Sequence, residues 1–226
     1  MVSAAQAAEI TAARYVGPTE RYPHAVLGDA IEHDTLRVTL SDGREIRARY
    51  PDVHVFEDTA PRVIDLDGDG APEVITVESH ETRGARLAIW GLRAGELRQI
   101  AATPHIGTRF RWLAPTGIGA ADLDGDGRME LAYVDRPHLA KTLRVWRFEQ
   151  DKLAEVASLP GVTNHRIGER DIAGGIRDCG AAPEIIVADA NWRRLMAVTL
   201  TDGALTARDI GPHQGRGSFS EAMGCK

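Results

Sequence analysis

Asp65-Leu66-Asp67-Gly68-Asp69-Gly70-Ala71-Pro72-Glu73 occurs twice in this chain, the second time 57 residues on as Asp122-Leu123-Asp124-Gly125-Asp126-Gly127-Arg128-Met129-Glu130. Each copy sets carboxylates at positions 1, 3, 5 and 9. The glycines at positions 4 and 6 let the backbone bend so that those carboxylates converge. Converging acids repel one another unless a cation sits among them. An oxygen-only donor set suits Ca²⁺, with the position-7 carbonyl (Ala71, Arg128) as a further ligand. Mg²⁺ fits less well, because it keeps its waters and wants stricter octahedral geometry. Two calcium sites are therefore expected, built from Asp65, Asp67, Asp69, Ala71 and Glu73, and from Asp122, Asp124, Asp126, Arg128 and Glu130. The other reading is a Gly/Asp-rich surface turn without metal.

An EF-hand begins with the same letters, but it needs a bidentate Glu at position 12 and a helix on each side. Position 12 is Thr76 in one copy and Tyr133 in the other. The flanks, such as Glu73-Val-Ile-Thr-Val77 and Glu130-Leu-Ala-Tyr-Val134, are short and partly β-branched and read as strands. A strand–acidic loop–strand unit ending in Glu and a hydrophobic residue resembles the FG-GAP/VCBS repeats of calcium-binding β-propellers. The resemblance covers about a quarter of the chain directly.

With that ruler the rest of the sequence divides into four units. A strand recurs as Leu36–Leu40, Leu87–Trp90, Leu143–Trp146 and Leu195–Leu200, at separations of 51, 56 and 52 residues. Turns follow at Ser41-Asp-Gly43, Arg93-Ala-Gly95, Glu149-Gln-Asp151 and Thr201-Asp-Gly203, and Asp-Gly between alternating strands signals a hairpin. Charged, alternating outer strands come next: Arg44–Tyr50, Glu96–Ile100, Lys152–Val156 and Ala204–Arg208. The strand before each set is Pro23–Leu27, Glu73–Val77, Glu130–Val134 and Glu184–Ala188. The innermost is read at 10–16, 61–65, 116–122 and 170–175. The fold class expected is all-β, a β-propeller of four blades with four antiparallel strands each; a duplicated β-sandwich is the alternative. The repeats span 10–52, 53–103, 104–160 and 161–210, after a flexible N-terminus at 1–9 and before a tail at 211–226.

The 226 residues give ample length for a core, and 43% are apolar but only 5% aromatic, so that core should be aliphatic. The net charge of −6, with no Lys/Arg block, disfavours nucleic acid and anionic membranes as partners. No apolar run approaches the length of a membrane span. Ala5-Gln-Ala7 looks like the tail of a signal-peptide cleavage site; an ordinary disordered terminus is the alternative. Two cysteines together with calcium loops point to export, periplasmic or secreted. The fourth repeat has lost its acidic run and holds Cys179 there, so a Cys179–Cys225 disulfide is expected to replace the metal; two free thiols would be the other outcome.

In a propeller the acidic loops share one face, and the opposite face gathers the other connections. An acid ends the second strand of every repeat: Asp29, Glu78, Asp135 and Asp189. Four-fold geometry would set them in a ring at the channel mouth, although acids there also serve as turn caps. The same side receives His105, Arg109, Arg111, Trp112, Arg136, His138, Lys141, His165, Arg166 and Trp192. Guanidinium forks and indole faces among acids suit a polar or anionic small molecule or a peptide, while solvated loop residues are the plainer account. No hydrolase, metalloprotease or phosphate-loop motif occurs. The function expected is a monomeric, calcium-stabilised binding module. The alternatives are a hydrolase or metal-dependent enzyme using His105 or His165 beside Asp135 or Asp189, and a scaffold in a surface complex.

Overall fold

Short apolar runs in the inner strands and alternating ones at the edges build the sheets one after another along the chain. The computed structural model describes residues 8–180 and 182–225, so Ala5-Gln-Ala7 lies outside the described residues. The first three strands are β1 (Ile10–Thr19), β2 (Glu32–Leu40) and β3 (Glu45–Arg49), with β1 and β3 antiparallel on opposite sides of β2. Next, β4 (His54–Phe56) and β5 (Arg62–Ile64) both pair with β6 (Glu73–His80), followed by β7 (Gly84–Arg93) and β8 (Glu96–Ala102). A single pair, His33 with Phe56, joins these two groups into one hydrogen-bonded sheet. The third group is β9 (Leu113–Ala121), β10 (Glu130–Asp135), β11 (Thr142–Glu149) and β12 (Lys152–Pro160). In the fourth, β13 (Val162–Thr163) and β14 (Gly175–Arg177) both pair with β15 (Glu184–Asp189), then come β16 (Arg194–Thr201) and β17 (Ala204–Pro212). Helix α1 (Arg216–Met223) ends the chain.

The period of two gives each middle strand two cores. Leu131 and Tyr133 of β10 face Ile75, Val77, Leu87 and Ile89 of the second group. Ala132 and Val134 of the same strand face Ile185, Val187 and Val198 of the fourth. On β15 the neighbours Ile186 and Ala188 turn the other way, onto Phe219 of α1. Leu36, Val38 and Leu40 of β2 meet Val74 and Trp90. The groups therefore stack in chain order with an apolar seam between each pair, and each fully buried aliphatic side chain contributes about 1.5–3 kcal/mol.

The two ends of the stack differ. The last sheet is covered by α1 through Phe219, whereas the outward face of the first carries Arg14, Arg37 and Arg47 around Glu45, and Arg49 on Asp34. First and last groups meet through loops: Gly168 N–H donates to the Val26 carbonyl at 2.9 Å. Val26 sits in the same core as Leu66 and Trp112, so the loop between β1 and β2 plugs the middle of the molecule.

Several expected elements change. Pro23–Leu27 is a loop, with Ala25 at φ +57°, so the first group has three strands rather than four. Pro23 cannot donate to a ladder, and the segment goes to the hub instead. The innermost strand comes in two pieces in the second and fourth groups (β4/β5 and β13/β14), and in the third its ladder with β10 shifts register, Leu131 pairing with Ala120 and Tyr133 with Pro115.

Candidate functional site

The two acidic loops fold alike, atom for atom. Asp65 accepts from Gly68 N–H at 2.8 Å and Gly70 N–H at 3.0 Å; Asp122 accepts from Gly125 at 2.8 Å and Gly127 at 2.9 Å. These turns need positive φ at the four glycines, +75° and +85° in one loop and +78° and +85° in the other. Glu73 and Glu130, at the start of β6 and β10, are buried and accept from Leu66 N–H and Leu123 N–H. Oxygens of Asp65, Asp67 and Glu73, and of Asp122, Asp124 and Glu130, lie within 4.8 Å of one another. Burial pushes the Glu73 carboxyl up to about 7, with Asp67 and Asp69 adding to the rise. That is the electrostatics of a donor set short of a counter-charge, and it fits a hard cation. Asp69 and Asp126 stand outside the convergent triads, accepting from Ala71 N–H and Arg128 N–H.

The loops differ in their company. Arg147 donates to Glu130 at 2.6 Å and to Asp124 at 2.7 Å. Gly91 holds the corresponding place in the second unit, since Trp90 faces Val74 as Trp146 faces Leu131. In the fourth unit Glu184 accepts from both Arg177 and Arg208. Cys179 and Cys225 form a disulfide in that unit, with Cα atoms 5.4 Å apart.

The opposite loops enclose a cavity of about 200 Å³. Arg111, Trp112, Arg136 and His138 line it, as does His24. Phe110, Leu139 and Ile167 rim it, three of the five exposed large hydrophobic residues among the described residues. Phe110 and Arg136 have φ of +61° and +44°, costly backbone that clusters at functional sites. His138 Nε2 lies 3.1 Å from His165 Nδ1, and the Glu169 carbonyl accepts from His165 Nε2–H at 2.8 Å. Burial, then His165, lowers the His138 imidazole to about 4. Trp112 is buried, donates to the Glu57 carbonyl and packs edge-on to His165.

The four strand-end acids form no ring; each serves its own neighbourhood. Glu78 is wholly buried and accepts from Arg86, Trp90 and Gln99. Asp135 is buried between Arg136 and Arg144. Asp189 caps its turn, accepting from Arg193 and Arg194 N–H, and Asp29 accepts from Ile31 N–H in an exposed loop. The reason is register: Glu78 faces Arg86 across the ladder and turns inward with it. Arg109 lies over the Phe110 ring and Arg166 over Trp192, 4.3 Å from its centroid. Lys141 donates to the Ala190 carbonyl. His105 sits apart, beside His54 and His80. Sequence reading missed His24, which meets the fully buried Glu57 at 2.5 Å, because Pro23–Leu27 looked like a strand.

Residues 56–133, which contain both acidic loops, match the FG-GAP-like repeat family. No curated protein matches the chain. Among solved structures, the chain is similar to a hypothetical selenium-binding protein from Sulfolobus tokodaii, at 10% identity and a TM-score of 0.45, covering 81% of this chain and 49% of that one. It is also similar to a Bacillus licheniformis rhamnogalacturonan lyase, at 16% identity and 0.46, covering 93% and 50%. A third is the calcium-binding protein regucalcin from Agrobacterium tumefaciens, at 14% identity and 0.35, covering 88% and 62%. The chain thus spans less than two thirds of the length of each of these.

Proposed function

We propose that this chain is an exported, calcium-stabilised binding module that takes a small organic anion, or an acidic peptide, in the cavity under Phe110, Leu139 and Ile167. Its four sheets are blades set around the plug formed by the β1–β2 loop, with Ca²⁺ in the loops 65–73 and 122–130. The observation that carries the ligand class is the pairing of an apolar rim with two guanidiniums, Arg111 and Arg136, and an imidazole at one opening. An apolar rim favours the body of a ligand, and the guanidiniums favour its carboxylate. The Cys179–Cys225 disulfide supports an oxidising compartment. Among the described residues no helix is long and apolar enough to cross a membrane.

Calorimetric titration with a panel of aliphatic and aromatic carboxylates, against their amides, tests this reading. Binding of acids but not amides, lost in Arg111→Gln with an unchanged melting temperature, is the expected result. Equal binding of acids and amides, or an unaffected Arg111→Gln protein, would reject it.

A further inference from the structure

One position is built differently in two units of this chain. In the second unit Glu78 accepts from the Trp90 indole N–H at 2.9 Å and from the Gln99 amide at 2.9 Å. Tyr50 of the first unit fills the seam against them, edge-on to Trp90 at 6.0 Å, its hydroxyl accepting from Gln99 at 3.2 Å. In the third unit Trp146 stands where Trp90 does, and its ladder partner Glu155 where Gln99 does. Asp135 takes the place of Glu78, five residues after Glu130 as Glu78 is after Glu73. It is one methylene shorter, and Arg136 and Arg144 already occupy its oxygens. Beside Trp146 the seam is left open as a pocket of about 330 Å³, with His105 on the side of the second unit.

Two polar atoms of that lining are unmet. The Trp146 Nε1–H is buried in a residue only 9% exposed and has no hydrogen-bond partner among the described residues. The Tyr133 hydroxyl is its neighbour but does not accept from it. The His105 Nε2 is likewise buried and unpartnered. The Gly84 carbonyl takes the Nδ1–H of His105 at 2.9 Å, and burial lowers this imidazole to about 4, so Nε2 carries a lone pair. The pocket thus offers a donor and an acceptor, and buried polar groups are rarely left without partners. Its charges, by contrast, are paired among themselves. Arg144 donates to Glu155 at 2.6 Å and to Asp135 at 3.0 Å, and Arg136 to Asp135 at 2.7 Å, two acids against two guanidiniums. A carboxylate would set a lone pair against that of His105, and an ammonium would set N–H against the indole N–H. A hydroxyl both donates and accepts, so one kind of group serves either atom. The rings of Tyr133 and Trp146, with Ile106, add an apolar wall. The volume lies at the low end of small-molecule sites, about 300–1,000 Å³.

We propose that the pocket between the second and third units binds a neutral polyhydroxylated ring, a monosaccharide, whose hydroxyls meet the indole N–H of Trp146 and the Nε2 of His105. It shares only Arg136 with the cavity under Phe110, Leu139 and Ile167, and it takes an uncharged ligand where that cavity takes an anion.

The test is a calorimetric titration of the full chain, in calcium buffer, with D-glucose, D-galactose, D-mannose, D-xylose and L-arabinose. The expected result is saturable binding of at least one of these sugars, one per chain. Trp146→Phe keeps an aromatic ring and loses the N–H, and should weaken that binding by about tenfold or more. Arg111→Gln, altered only in the other cavity, should bind the sugar as the native chain does. If Trp146→Phe fails to fold, deoxy analogues of the bound sugar read the same contacts on the unaltered protein, and removing a contacting hydroxyl should cost a similar factor. No saturable binding by any of the five sugars would overturn the proposal. So would equal binding by Trp146→Phe, or deoxy analogues that all bind as tightly as the parent, since the pocket would then hold solvent only.

Discussion

Arg147 reaches Glu130 with its Nε at 2.6 Å, placing a guanidinium against the acidic loop of the third unit where the second unit has Gly91. The two loops share their acids and turn geometry, so the guanidiniums around them, Arg147 and Arg128 on the one and Arg93 near the other, should separate their calcium affinities. Calorimetry on the chelator-treated protein is expected to resolve two events, with loop 65–73 the tighter. Arg147→Gln should strengthen the weaker event by about tenfold or more, since it removes a positive charge held against two of the site's own carboxylates, Glu130 and Asp124. Two equal sites, unchanged by that substitution, would contradict the assignment.

Glu78 and Asp189 end equivalent strands but do different work, and substitution should tell them apart. Glu78→Ala leaves Arg86 without its carboxylate inside the sheet and should cost about 3–5 kcal/mol in urea unfolding. Asp189→Ala removes a turn cap on the surface and should cost about 1 kcal/mol. Comparable costs would return both acids to a common role.

The pH profile of stability should rise steeply from acid and then decline. Burial lowers His54, His105 and His138 to about 4, with Arg86 and His80 acting on the first and His165 on the last. The unfolded chain takes up protons on these rings below about 6.5, so their contribution is present above that pH and is lost as pH falls towards 4. Glu32 works in the other direction. Burial, then Glu57, raises it to about 9, so its penalty begins near 4.5 and grows until about 9. The rings act on the acid limb, and Glu32, joined by Glu73 when its loop holds no cation, acts on the alkaline one. In calcium buffer, Glu32→Gln should flatten the alkaline decline and stabilise the protein at pH 8 by about 1–3 kcal/mol. A thermal midpoint that keeps its alkaline slope in this variant would refute the account.

Reduction of Cys179–Cys225 should loosen the C-terminal cover first. The bond lies just beyond α1, whose Phe219 packs on Ile186 and Ala188. Cys179→Ser is expected to lose about 2–4 kcal/mol, and its amides in α1 and β15 should exchange faster while those in β6 and β7 do not. Uniform acceleration along the chain would show that the bond acts on the fold as a whole.

The repeat was legible because two cues are local: a glycine-acid turn and strict alternation. Those cues located both acidic loops and strands β6, β7, β10, β11, β15 and β16. The first unit misled because Pro23-His-Ala-Val-Leu27 alternates like a strand, yet Val26 is used to fill the hub. The acids failed for a related reason. Equal spacing of Asp29, Glu78, Asp135 and Asp189 says that the strands end alike, but the guanidinium that holds each carboxylate sets whether it faces water: Arg86 is directly across the ladder from Glu78, while Arg144 reaches Asp135 from two positions beyond its ladder partner Thr142. The cavity was half legible: Arg111, Trp112, Arg136 and His138 were placed on one side by topology. Phe110, Leu139 and Ile167 gave no signal, because single apolar residues in loops are ordinary.

The unlike ends of the stack give the molecule a direction of unravelling. One terminus of the array is an arginine-studded sheet face open to solvent, and the other is sealed by a helix and a covalent bond. Pulled or heated, such an array peels from its open side, and the acidic loops of the second and third units are the first two stops it meets.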